Sequence, residues 1–339
     1  MKNALVDVSV LLVFFTRPEQ FRQVFEQVKI ARPSRLFLYQ DGAREGRVDD
    51  IENIRKCREI AEDIDWECEV HRLYQEKNYG CDPSGYIAHT WAFSQTDKCI
   101  VLEDDVVPSV SFFSFCKELL DRYEQDQRVS MISGLNLEEC SDEVPYDYFF
   151  TSCSSIWGWA SWSRVVSKWD PSYSVLEDGF NRKQIAGVIK QKKHMANFMS
   201  IAESHAKSGK AHFESILLLN QYLNSGLTIV PKKNMINNVG VVAESTHFSG
   251  SVEMLPKGYR RVFTMPRYEL NSKLKHPKYV IEYTDYKDRS YRIKAWGHPF
   301  VKAYRFAEAL FYRLIRGDLK GITKEVVDKV NKLIHRCTY

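Results

Sequence analysis

Lys98-Cys99-Ile100-Val101-Leu102-Glu103-Asp104-Asp105 reads as an apolar strand that runs without a break into three consecutive carboxylates. Like charges this close repel one another, and burying even part of them calls for a cation. A hard divalent ion such as Mn²⁺ or Mg²⁺, itself holding a diphosphate, answers that need. Strand alternation predicts Glu103 and Asp105 on one face and Asp104 on the other. The alternative reading is an exposed acidic turn before the next helix, where Ser109 or Ser111 can serve as caps.

Working outward, the flanking segments repeat one pattern. Val8–Phe15 is a continuous apolar run, as in a central parallel strand covered on both faces. It stops at Thr16-Arg17-Pro18, and Pro18 opens a helix whose Phe21, Val24, Phe25 and Val28 recur at helical spacing. Arg35–Tyr39 predicts a second strand ending at Asp41-Gly42, Val48–Asp63 an amphipathic helix, and Glu67–Leu73 a third strand. A loop with Asn78 and Gly80 leads to a helix near Ser84–Ser94, then to the strand Lys98–Leu102. Phe112–Tyr123 follows as a helix and Val129–Ile132 as a short strand. Strand and helix alternating in this way predict an α/β fold with a mostly parallel sheet flanked by helices. In such sheets ligands bind beyond the carboxyl ends of the strands. Thr16-Arg17, Asp41-Gly42 and Glu103-Asp104-Asp105 all fall there.

The pattern breaks over Tyr146–Trp169, an aromatic, Ser-rich stretch holding Trp157, Trp159, Trp162 and Trp169. Helices are expected over Arg182–Ser208 and Phe213–Asn224, a strand over Leu227–Val230, and one or two amphipathic helices over Lys294–Cys337. Charge is uneven. Lys287–Tyr339 carries thirteen Lys/Arg against five Asp/Glu, whereas the whole chain is only +4. A basic, aromatic tail on an acidic body predicts contact with an anionic membrane surface, or else a solvated helix face. Net charge of +4 is too small to argue for nucleic acid. Eight scattered cysteines with no CxxC pair fit reduced thiols, and the apolar stretch Ala4–Phe15 is too short to cross a bilayer. A cytoplasmic protein, peripheral on the inner face of the membrane, is therefore expected.

Several separated motifs, in order, carry a resemblance. Glu103-Asp104-Asp105 followed by Pro108 and the pair Phe112-Phe113 resembles the metal motif of inverting glycosyltransferases of the N-acetylglucosaminyltransferase I-like group and its bacterial relatives. Phe14–Pro18 and Tyr39–Gly42 are similar to that group's first two strand ends, and similar segments recur to about residue 250. The resemblance implies a GT-A fold, a Rossmann-like, mostly parallel sheet flanked by helices. Residues 1–250 would form the catalytic domain and 251–339 a basic, aromatic, mainly helical C-terminal extension. It further implies Asp105 as the direct metal ligand, Asp104 on the ribose and Glu103 in support. Asp41 would accept the uracil N3–H, with Arg17 beside the base or phosphates and Asn78 near the nucleotide. Trp157, Gly158 and Trp159 would lie on the acceptor side against the sugar. Thr246-His247 resembles a late motif in which the histidine is a further metal ligand, a contact to the diphosphate, or a structural residue.

An inverting transferase also needs a carboxylate that takes the acceptor's proton. Glu214, in Ala211-His212-Phe213-Glu214-Ser215, occupies the matching segment, with Glu for Asp and Phe for Trp, and Asp178 is the reserve candidate. Balancing the helix dipole is the plainer role for Glu214. The combined expectation is metal-dependent transfer of a sugar from a UDP-type donor to a glycan or glycolipid hydroxyl, with inversion, in surface glycan synthesis. A non-catalytic sugar-binding or membrane-active protein is the alternative. A sugar nucleotidyltransferase or P-loop enzyme needs a glycine-rich loop that Phe15-Thr16-Arg17-Pro18 does not supply.

Overall fold

A computed structural model describes residues 1–153, 155–240, 257–270, 273–294, 298–319, 321–323 and 326–327. Strand β1 (Val6–Phe14) lies between β2 (Pro33–Gln40) and β4 (Lys98–Glu103), parallel to both, and β3 (Glu69–Tyr74) pairs in parallel with β2 at the edge. The central position of β1 explains its unbroken apolar run: both faces are covered. Helix α1 (Pro18–Ala31) starts on Pro18 and buries Phe21, Val24, Phe25 and Val28, the periodic positions. Helices α2 (Val48–Ala61) and α3 (Cys81–Phe93) complete the crossovers. Edge strand β3 buries no residue fully, and its alternating sequence follows from that.

Beyond β4 the sheet turns mixed. A short strand β5 (Val106–Pro108) precedes α4 (Ser111–Arg122) and β6 (Val129–Ser133). The aromatic stretch then supplies two strands that its sequence does not announce, β7 (Tyr148–Thr151) and β8 (Trp159–Trp162), followed by α5 (Ser163–Val166). All eight residues of β7 and β8 are buried, so no alternation marks them, and both pair antiparallel to their neighbours. The expected helix over Arg182–Ser208 is two helices, α6 (Gly179–Val188) and α7 (Lys192–Ser208), because Ile189 leaves helical geometry at ψ 87°. Then come α8 (Phe213–Leu223), β9 (Leu227–Pro231) and β10 (Ile236–Asn238). The eight-stranded sheet has the order β3-β2-β1-β4-β8-β6-β9-β7, mostly parallel, with helices on both faces, and β5 and β10 form a separate antiparallel ribbon.

Three further helices are described, α9 (Lys257–Thr264), α10 (Thr284–Lys294) and α11 (Pro299–Ile315). The first two pack on the sheet half. Val262 and Met265 join Leu135 and Leu137 in one apolar cluster, and Tyr286 joins Val144, Phe149 and Val230 in another. Glu269 accepts hydrogen bonds from the Val110 and Ser111 amides at 2.9 and 2.7 Å, which satisfies orphan donors at the start of α4. Residues 257–294 therefore share hydrophobic clusters with the body. Among the described residues no helix is long and apolar enough to cross a membrane.

Candidate active site

The carboxyl ends of β1 and β4 bring Arg17 against the acidic triplet. Strand β4 ends at Glu103, and the chain turns there, so the expected alternation stops one residue early. Asp104 and Asp105 both face Arg17 in consequence: its two terminal nitrogens donate to Asp104 Oδ1 at 2.5 Å and to Asp105 Oδ2 at 2.9 Å. The Phe15 amide donates to Asp104 Oδ2 at 3.1 Å, and Asn238 Nδ2 to Asp105 Oδ1 at 3.4 Å. Gly240 presses on the same carboxylate, where a Cβ would lie 2.0 Å from Asp105 Oδ2. One guanidinium thus faces three acids. Burial opposes the charge on Arg17, but the fields of Asp104, Asp105 and Glu103 outweigh it and hold the pKa above its ordinary value. Burial pushes the Asp104 carboxyl up to about 6 against the pull of Arg17. Burial and then the charges of Asp105, Glu214 and Asp104 push Glu103 well above the usual carboxylate range.

A cleft of about 440 Å³ opens beside this cluster, walled by Phe15, Arg17, Asp41, Asn78, Glu103 and Asp104 among others. Asp41 is held by the backbone. Its Oδ1 accepts from the Gly42 and Tyr79 amides at 3.1 and 3.0 Å, and its Oδ2 from the Tyr79 and Gly80 amides at 3.1 and 3.0 Å. Asn78 Nδ2 donates to the Gly42 carbonyl at 2.7 Å. Both residues line the cleft and also fasten the loop over residues 78–80 to the end of β2, a role the sequence reading did not assign.

The wall on the α3 side holds three residues that sequence reasoning missed. The hydroxyls of Tyr39 and Ser84 and both ring nitrogens of His89 are buried without a hydrogen bond of good geometry, and all three residues line the cleft. Burial lowers the His89 pKa to about 3, so the ring is neutral and one of its nitrogens is an acceptor. Tyr39 has only loose polar contacts with Ser84 and Gln75, and His89 with the Gly85 backbone, so a ligand or water at this wall would complete their bonding. Ser84 and His89 sit in the helical stretch Ser84–Ser94, where a helical reading of the sequence gives no sign that they face a ligand.

Phe213 and Glu214, the first two residues of α8, line different cavities. Phe213 forms part of the cleft wall, and Glu214 opens on a second cavity of about 270 Å³. The Glu214 charge reaches Glu103, Cys81 and Lys294: it adds to the burial that raises Glu103 and Cys81, and opposes the burial that lowers Lys294. Asp178 lies elsewhere, as the N-cap of α6, where it accepts from the Phe180 and Asn181 amides at 2.8 and 3.2 Å. Of the aromatic motif, Trp157 lines the second cavity. Trp159 is turned into the core by the alternation of β8, only 1% exposed and stacked near His89 and Trp169, so its ring is not open to a sugar. Gly158 adopts φ +61°, and a Cβ there would lie 2.4 Å from Ile236 Cδ1. Its role is close packing against the β5–β10 ribbon. Residue 247 lies outside the described residues.

No known family profile matches the chain, and no curated protein matches it. Among solved structures, the apo form of mouse xyloside xylosyltransferase 1 is similar at TM-score 0.35 and 10% identity, over 66% of this chain and 85% of that one. A Bacillus anthracis protein described as a glucose-1-phosphate thymidylyltransferase, in complex with a sucrose, gives TM-score 0.33 and 10% identity over 71% and 91%. The inositol-1-phosphate CTP transferase of T. maritima gives 0.34 and 10% over 68% and 86%. Likeness this distant decides neither activity nor substrate, and none of the three is an N-acetylglucosaminyltransferase.

The donor set of the site suits a hard divalent cation. Three carboxylates against one guanidinium leave an excess of negative charge, which adds to the burial that raises Asp104 and Glu103. Among the described residues no three His, Cys, Asp or Glu side chains form a cage for a metal by themselves. A cation here would take one or two carboxylates and complete its shell from a diphosphate and water, the habit of Mg²⁺ at phosphate-binding sites.

Proposed function

We propose that the chain is a nucleotide-sugar-dependent glycosyltransferase that inverts the anomeric centre. One observation carries the reading: a carboxylate cluster that one guanidinium only partly offsets borders a cleft with a buried polar wall, and the Glu214 charge reaches its Glu103 from the neighbouring cavity. The cleft volume of about 440 Å³ accommodates a nucleoside diphosphate. Asp104 and Asp41 would orient a UDP moiety, Arg17 would face its phosphates, and Asp105 would hold Mn²⁺ or Mg²⁺. That cation would neutralise charge on the departing diphosphate. Glu214 would take the proton from the acceptor hydroxyl while its oxygen forms the bond to C1 of the sugar. The C1–O bond to the diphosphate breaks and its electron pair leaves with the UDP. A single displacement of this kind inverts C1 and needs no protein nucleophile.

Surface glycan synthesis at the inner face of a membrane is the setting we infer. Helix α11 supports the membrane contact, since Phe300, Tyr304, Phe311, Leu314 and Ile315 are exposed along one stripe of it.

The test is a pair of variants. Asp105→Ala is expected to abolish Mn²⁺-dependent UDP binding in calorimetry, and unchanged affinity with and without metal would sink the role of the triplet. Glu214→Gln is expected to keep UDP and Mn²⁺ binding but to lose transfer by about 10²–10⁴-fold, because an amide cannot accept the proton. Absence of metal-dependent hydrolysis or transfer across a UDP-sugar panel would favour a sugar-binding protein without catalysis.

A further inference from the structure

The second cavity is built differently from the first. Eight of its lining side chains are apolar, among them Leu135, Trp157, Leu218, Val262, Phe263 and Ile293, drawn from segments far apart in sequence. Trp157 and Phe263 meet with ring centroids 5.0 Å apart and planes tilted by 54°. Glu214 and Lys294 provide the charge at its lining. Burial lowers the Lys294 pKa, and the Glu214 charge acts in the opposite direction, which places the two side chains in one another's field. Since Phe213 and Glu214 are consecutive, the first turn of α8 is the partition between this cavity and the cleft.

We infer that this second cavity is the acceptor site and that its acceptor is an amphiphile: a hydroxyl directed at Glu214, carried on a body whose buried face is apolar. The inference rests on the glycosyltransferase reading and adds the chemical class of the acceptor. Its volume of about 270 Å³ equals the space of roughly nine water molecules in the liquid, enough for an aryl group or one ring. A fully hydroxylated sugar placed against these walls would leave hydroxyls without partners, each costing about 1–3 kcal/mol. An aryl or alkyl group leaves no such debt there and gains from the aromatic pair. Helices α9 and α10 supply Val262, Phe263, Ile293 and Lys294. The segment after residue 250 therefore chooses the acceptor, while the strand ends hold the donor.

Calorimetry with phenyl β-glucoside and phenyl β-galactoside, against their methyl counterparts, tests this on the full chain, with UDP titrated into the same samples. The phenyl compounds are expected to bind about ten- to a hundredfold more tightly than the methyl ones, the gain of burying one ring. Phe263→Ser and Ile293→Ser, each checked for an unchanged melting temperature, should each erase most of that preference and leave UDP affinity intact. Equal binding of phenyl and methyl compounds, no phenyl binding at all, or a preference untouched by both substitutions would overturn the assignment. Phenyl preference without any UDP binding would keep the apolar site and remove the nucleotide donor, so the two readings fail separately.

Discussion

Arg17 shows how much of a site one residue can organise. Its place at the ligand edge was legible because Pro18 fixed the helix start and the apolar run of β1 fixed the strand end, but the expectation set it beside the base or phosphates of a nucleotide, not against the acids. Its bridging of Asp104 and Asp105 was not legible, since that depends on the chain turning immediately after Glu103. Asp41 was found for its place at a strand end, but its four backbone amide contacts come from residues near it and from 38 to 39 positions away. His89, Tyr39 and Ser84 escaped altogether, because a buried polar group with only poorly aligned partners exists only in three dimensions. Histidines of this kind also set the acid limit of the fold. His194 is buried, bonded to the Tyr222 hydroxyl at 2.9 Å and stacked on Tyr291 at 4.6 Å. Burial, aided by the charge of Lys294, lowers its pKa from 6.5 to about 4. The folded state thus binds its proton later than the unfolded chain as pH falls. The associated stability is fully present above pH 6.5 and is lost progressively down to about pH 4, up to about 3 kcal/mol for this one group. His194→Phe is expected to cost about 1 kcal/mol at pH 7 through the lost Tyr222 bond, and to flatten the fall in stability between those limits. Urea unfolding at several pH values checks it, and an unaltered slope would remove His194 from the acid response.

Among the elements, those with a clear period were readable and those without one were not. Helices α1 and α8 and strands β1, β2 and β4 lie within a few residues of their sequence-derived limits. Strands β7 and β8 were hidden because four buried residues in a row carry neither helical nor strand alternation. Their antiparallel pairing made the sheet mixed, where repeated strand–helix units pointed to a parallel one. Helix α11 was anticipated as amphipathic, but only the fold reveals which face is left open. Phe300 is 78% exposed, Tyr304 68%, Phe311 59%, Leu314 60% and Ile315 66%, at the spacing of one helical stripe. Arg313 turns inward to Asp318 at 2.6 Å, while Lys302 and Arg316 remain at the surface. An apolar stripe on a segment that carries thirteen Lys/Arg against five Asp/Glu over Lys287–Tyr339 suits the plane of an anionic bilayer. Flotation with phosphatidylglycerol vesicles should recover the full chain at low salt and less of it as salt rises. Phe300→Ser, Phe311→Ser and Leu314→Ser combined should leave it in the soluble fraction with UDP binding unchanged. If the unaltered chain never floats, the stripe faces a protein surface.

At the scale of the whole molecule, composition and packing draw the boundary in different places. The sequence turns basic and Tyr-rich after residue 250, which set the expected limit between domain and extension there. Packing carries the chain on to residue 294. Tyr286 is 1% exposed, and its hydroxyl oxygen accepts from the Leu137 amide at 3.1 Å. Glu282 accepts from the Ser152 amide at 2.9 Å, and Arg289 pairs with Glu138 and with Glu143. Glu269 satisfies two amides at the start of α4, as described above. Removing one large buried ring already costs about 3–5 kcal/mol, and a whole domain holds only about 5–15 kcal/mol. A chain ending at residue 250 loses Tyr286, Val262 and Met265 together with these polar ties, so it is expected to lack a cooperative thermal transition. A chain ending at residue 297 keeps all of them and loses α11, whose buried residues are only Ala309 and Arg313. It should melt within a few degrees of the full chain and bind UDP with the same affinity, because no residue of α11 lines the cleft. Far-UV circular dichroism on heating, with UDP calorimetry on both truncations, decides the matter. Cooperative melting of the shorter chain at the full-length temperature would restore the boundary at residue 250, and failure of the longer one would make α11 part of the fold.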